Sequence, residues 1–129
     1  MTLAQLLRST LALRKRGAND TVIKSLQLAT TGNGLLVLKA IMSSASRKGV
    51  FFDTWITFTQ EKNRSKINAK SFAMCQCSCE DYIFMYEVAN TAHNAARIFY
   101  SNGESPDERN PGQRPGLCKH LTRLVEELI

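Results

Sequence analysis

The sequence predicts an α+β fold: an N-terminal helix, an antiparallel β-meander, and C-terminal helices stapled by zinc. Three observations predict it. Leucines recur at helical spacing over the first fifteen residues. Turn-forming clusters then separate segments rich in Val, Ile, Phe and Thr. Finally, all 4 cysteines fall in Cys75-Gln76-Cys77-Ser78-Cys79 and Cys118-Lys119-His120. Residues 1–129 read as a single domain, with a helix over 1–17, a meander over 18–76 and a zinc-binding helical part over 77–129.

Residues 2–15 predict one amphipathic helix capped by Thr2, with Leu3, Leu6, Leu7, Leu11 and Leu13 on a largely apolar side. Gly17 follows Arg14-Lys15-Arg16 and is a reasonable stop, with the cations well placed for the helix dipole. Ala18-Asn19-Asp20 reads as a turn. Val22 to Leu28 alternates imperfectly, and Thr31-Gly32-Asn33-Gly34 is a strong turn signal. Leu35 to Met42 is apolar but for Lys39. It fits a short helix or a strand, and its place between turns favours the strand.

Val50 to Thr59 suits a pleated surface, and Lys66 to Cys77 is expected to return beside it as an antiparallel strand. Residues 82–99 predict a helix from the spacing of Phe84, Val88, Ala92, Ala95 and Phe99, with His93 a surface or packing residue rather than a ligand. Glu80 and Asp81 suit its start. Ser101 to Gly116 is a long Pro- and Gly-rich loop, whose length points to a special role or mobility. Lys119 to Ile129 predicts a final helix with Leu121, Leu124, Val125 and Leu128 on one face.

Net charge is +6, unevenly spread. Residues 1–70 carry 12 Lys/Arg against 3 Asp/Glu, and residues 71–129 carry 5 against 8. The basic half suits nucleic acid, an acidic protein surface, or simply solvent. No apolar run is long enough to span a membrane, and the N-terminus lacks the order of a secretory signal. The sequence holds no phosphate loop, nucleophile elbow or acid–base constellation, so it suggests no small-molecule substrate and no enzyme.

The cysteines carry the functional signal. Side chains two apart on a strand share a face, so Cys75, Cys77 and Cys79 can aim at one point. They are poorly placed to bridge one another, because disulfide geometry is strict. Cys118 can sit just before the last helix and His120 in its first turn. Three sulfurs and one imidazole make a closed tetrahedral zinc site. Five candidates compete for four positions, and an iron–sulfur cluster is the minor alternative.

Cys77-Ser78-Cys79, a 38-residue spacer and Cys118-Lys119-His120 resemble the SWIM zinc finger, whose pattern is Cys-x-Cys, a spacer, then Cys-x-His. The resemblance covers about residues 66–129 and is strongest at Cys118-Lys119-His120-Leu121. It implies a ββα-like zinc fold used for nucleic-acid or protein binding. Carried over residue by residue, the ligands are Cys77, Cys79, Cys118 and His120, with Cys75 as an alternative. The long helix-bearing spacer and the extra Cys75 depart from the pattern.

The chain also resembles small virion structural proteins of tailed bacteriophages. The matching stretches are Cys77-Ser78-Cys79-Glu80-Asp81-Tyr82, Glu87-Val88-Ala89-Asn90, Asn110-Pro111-Gly112 and Pro115-Gly116-Leu117-Cys118-Lys119-His120-Leu121, with Glu80 in place of the usual Pro. This second resemblance implies a virion location, with the host cytoplasm before assembly. It also implies partners among other virion proteins in the tail or baseplate. Candidates for surface apolar residues awaiting such partners are Leu3, Leu7, Leu11, Phe51 and Trp55, with ordinary core as the alternative for each and the favoured one for Trp55.

Overall fold

In a computed structural model, residues 1–44, 46–101, 103 and 109–129 are described. The chain is α+β, as the sequence predicts. Helices α1 (Leu3–Ser9) and α2 (Ala12–Gly17) precede four strands: β1 (Ile23–Thr30), β2 (Leu36–Ser43), β3 (Phe51–Phe58) and β4 (Ala73–Cys77). Helices α3 (Glu80–Met85), α4 (Glu87–Ala92) and α5 (Lys119–Leu128) follow. The strands form one antiparallel sheet in the order β1-β2-β3-β4, a meander. No helix among the described residues is long and apolar enough to cross a membrane.

One face of the sheet is the core. Leu38, Ala40 and Met42 of β2 and Ile56 and Phe58 of β3 are buried on it, together with Ala73 and Cys75 of β4. Leu3 and Leu6 of α1 and Leu121, Leu124 and Val125 of α5 join the same cluster. The alternation that buries Leu38 and Ala40 turns Lys39 to the opposite, solvated face. β2 is therefore a strand and not a short helix.

The first helix is two helices. Thr2 caps α1 through a reciprocal pair with Gln5, the Thr2 hydroxyl accepting from the Gln5 amide at 3.1 Å. The helix ends at Ser9 because Thr10 is extended. The Thr10 hydroxyl donates to the Leu6 carbonyl at 2.7 Å. The break swings Leu11 and Leu13 into solvent, so they do not continue the apolar side, whereas Leu3 is fully buried and not a waiting surface residue.

The fourth strand starts only at Ala73, not at Lys66. A single 3₁₀ turn over Arg64–Lys66 and the Asn68 and Ser71 hydrogen bonds hold the chain off the sheet before then. The predicted pairing with β3 is present, from Phe58 against Ala73 to Thr54 against Cys77.

The expected helix over 82–99 stops at Ala92. Asn94 takes a positive φ of 58°, and the Ala95 amide donates back to the Asn90 carbonyl at 2.8 Å. The buried face is then Tyr82, Tyr86, Ala89 and Asn90, while Phe84 and Phe99 are exposed. The reversal serves the sheet. The Cys75 amide donates to the Ala95 carbonyl at 2.8 Å, and the Gln76 side-chain amide donates to the Arg97 carbonyl. Beyond it, the buried Glu87 carboxylate accepts the backbone amides of Phe99, Tyr100 and Ser101 at 2.7–3.1 Å. Of the predicted long loop, residues 102 and 104–108 lie outside the described residues.

Candidate metal centre

Four side chains meet where β4, α3 and α5 converge. One ligand atom each from Cys77, Cys79, Cys118 and His120 lies within 4.8 Å of every other, and all four residues are buried. The His120 Nδ1 stands 3.9 Å from the Cys77 sulfur and 4.0 Å from the Cys118 sulfur. Tetrahedral ligands bonded at about 2.0–2.3 Å would lie about 3.6–3.8 Å apart. The cluster is thus close to the size of such a site, and this buried group of three cysteines and one histidine could hold a metal ion.

Each ligand is placed by local structure. Cys77 ends β4 and points to the core face. Ser78 then turns the chain, its amide donating to the Asp53 carbonyl and its hydroxyl accepting the Asp53 amide, both at 2.9 Å. Cys79 caps α3, its sulfur accepting the Tyr82 amide at 3.4 Å. Cys118 occupies the N-cap of α5 in extended conformation, and His120 sits in the first turn. Both helix starts favour a thiolate, because their free amides point at the sulfur's end of the helix.

The electrostatics call for a cation. Burial pushes the Cys118 thiol well up, and the Cys77 thiol likewise. Cys79 is held well below its ordinary value, first by hydrogen bonds from Cys118 and Cys77. Three buried sulfurs this close together cannot all ionise without a counter-ion. A divalent cation lets all three ionise together. His120 packs against Phe52 with ring centroids 4.7 Å apart, and its Nε2 is buried without a hydrogen-bond partner among the described residues.

Cys75 stands apart. It is fully buried in the core cluster beside Cys77, outside the four-residue group. Burial pushes its thiol up to about 12, which fits a neutral core side chain. His93 is exposed at the end of α4, also outside the group.

The residues that join the two halves of the centre escaped the sequence reading of the ligands. Asn90 is fully buried. Its amide nitrogen donates to the Tyr82 hydroxyl at 3.1 Å and to the Gly116 carbonyl at 2.8 Å, and its oxygen accepts the Gly116 amide at 2.9 Å. The Tyr82 hydroxyl in turn donates to the Cys75 carbonyl at 2.7 Å. Asn90 thus ties β4, the strand that ends at Cys77, to the segment entering Cys118.

Leu117, next to Cys118, donates its amide to the Thr10 hydroxyl at 3.0 Å. Asn110 shapes the preceding turn by donating to the carbonyls of Met85 (2.9 Å) and Arg114 (2.8 Å) and accepting the Arg114 amide (2.9 Å). Position 116 must be glycine, since a Cβ there would lie 2.9 Å from Cε1 of Tyr86. The available signal was an Asn among small apolar helical residues, at a place where a polar side chain must be bonded if buried.

No family model, curated protein or solved structure matches the chain.

Proposed function

We propose that the chain is a non-enzymatic, zinc-stapled structural or adaptor component of a bacteriophage particle, in the tail or baseplate, acting through protein–protein contacts. The observation that carries the reading is the closed donor set. Four buried protein ligands fill a tetrahedral ion completely and leave no position for water or substrate, the mark of a structural site. Zinc suits three thiolates and an imidazole without redox chemistry. The ion's role would be to join α5 to β4 and α3, across about forty residues of sequence. The phage assignment rests on the sequence resemblance. Two asparagines within the matching stretches, Asn90 and Asn110, are the ones that bond the chain around the centre.

A second reading, a SWIM-type nucleic-acid-binding module, is favoured by one feature. Lys62, Arg64, Lys66 and Lys70 are all exposed on the β3–β4 connection. Phosphate binding by this group would show a steep salt dependence.

The test has two parts. Elemental analysis of protein purified without added metal should find one zinc per chain. An absorption band near 400 nm would point to iron instead. Mass spectrometry of purified particles from producing cells should then find the chain in stoichiometric amount. A chain that stays out of particles and binds DNA with a steep salt slope supports the second reading.

A further inference from the structure

We infer that β1 is a self-pairing edge, and that two copies of this chain form a two-fold dimer by antiparallel β1–β1 pairing, extending the sheet from four strands to eight. The argument begins with the unequal edges of the sheet. The β4 edge is occupied. Ala73 donates its amide to the Met1 carbonyl at 3.0 Å, Thr2 bridges Phe72, and Cys75 donates to Ala95. The β1 edge has no partner among the described residues.

An open edge is ordinarily blunted by shortness, charge, proline or a bulge. β1 has 8 residues, no proline, one charge at Lys24, and a bulge only at its start, between Ile23 and Ser25. It also carries unsatisfied apolar surface. Leu26 and Leu28 pair with Ala40 and Leu38, so they face the core side of the sheet, yet they are 44% and 37% exposed. The helical layer packs on β3 and β4 and leaves them uncovered.

The backbone direction fits a strand partner. Thr31 donates its amide to the Leu35 carbonyl at 2.8 Å, so Thr31 faces β2. Polar groups alternate along an antiparallel strand, so beyond the bulge those of Leu26, Leu28 and Thr30 face the open edge. A two-fold axis through Gln27 places Leu26 opposite Leu28 and Lys24 opposite Thr30 of the second copy. The outward amides of Leu26 and Leu28 gain partners in the second copy, apolar meets apolar on the uncovered face, and the lone charge does not meet its twin. The two Lys39 residues, each beside Gln27 in the register, would lie three strand spacings apart, about 14 Å, beyond the screening length at physiological salt. Because the β4 edge is occupied, growth stops at two copies, a closed isologous pair and not a fibre.

Sedimentation across the micromolar range, with cysteine cross-linking, tests this on the metal-loaded full chain. The wild type should sediment as a dimer, and Leu28→Lys as a monomer with unchanged circular dichroism and metal content. Gln27→Cys should form a covalent dimer on mild oxidation, because twin Cα atoms at a non-hydrogen-bonded pair lie about 4.5 Å apart. Ser25→Cys should not, since its twin lies about 13 Å away along the strands. A wild-type monomer throughout the range overturns the proposal, even if another protein's strand binds the edge. So does cross-linking at position 25 as readily as at 27. The readout does not depend on which metal fills the centre.

Discussion

The two sides of the sheet are built on different principles. On the β4 side, the strand is buried on both faces and its edge amides are taken by Met1 and Ala95. Polar groups are pulled inside and bonded: Asn90 to Gly116 and Tyr82, and Glu87 to three successive amides. On the β1 side, the strand has a neighbour on one edge only, none of its eight residues is buried and six are exposed, two leucines among them. The difference teaches where this small chain concentrates its stability. A core of this size gives little surplus, so the C-terminal half adds fixed polar bonds and a ligand cluster. The first hairpin depends on β2 alone and stays available for a partner.

Removing a ligand should break the β4 side most. A structural zinc in a finger peptide contributes about 10–16 kcal/mol, comparable with or above the whole stability of an ordinary domain, about 5–15 kcal/mol. Cys118→Ala or His120→Ala is therefore expected to abolish stoichiometric metal binding and to strip amide-exchange protection from α5 and residues 109–117. The β2–β3 core should lose protection less. Retained protection of α5 in a metal-free variant would show that packing of Leu121, Leu124 and Val125 suffices without the ion.

Asn90→Ala should come next, and it separates polar bridging from metal binding. The substitution strands the Gly116 amide and carbonyl in a buried place. Each orphan costs about 1–3 kcal/mol, so a loss of about 2–4 kcal/mol is expected in urea at saturating zinc. Ser25→Ala, on the exposed β1, should change stability by less than about 0.5 kcal/mol. Equal effects at the two positions would dissolve the contrast between the two sides.

The sequence made the meander, the last helix and the meeting of cysteine with histidine legible, because each rests on local periodicity or spacing. β3 alternates, and α5 keeps one apolar face from Leu121 to Leu128. What it hid depends on distant partners. The break at Thr10 makes sense only once its hydroxyl is seen to receive the Leu117 amide from the far end of the chain. The stop at Ala92 follows from Asn94 and from the demand of the β4 edge for the Ala95 carbonyl. The apolar spacing through Phe84 and Phe99 selected the wrong face, since Asn90 and Glu87 carry the buried contacts there. Helical periodicity has no means of showing that a polar residue will be buried and satisfied.

The smallest effect should come from Cys75, and it sharpens the boundary between core and centre. Cys75 shares its strand face with Cys77, yet its sulfur lies in the apolar cluster outside the ligand group. Its thiol, pushed up to about 12 by burial, stays neutral at any ordinary pH and out of reach of alkylating reagents while the fold persists. Cys75→Ala should therefore leave zinc at one per chain. It should lower stability by only about 1 kcal/mol, the cost of a sulfur-sized void. Cys75→Ser should cost more, because a hydroxyl there must find a partner in an apolar surround. Metal analysis beside urea unfolding of the two variants reads both effects. If Cys75→Ala loses zinc while Cys77→Ala keeps it, the ligand set is Cys75, Cys79, Cys118 and His120, and the strand must end one pleat earlier than β4 does here.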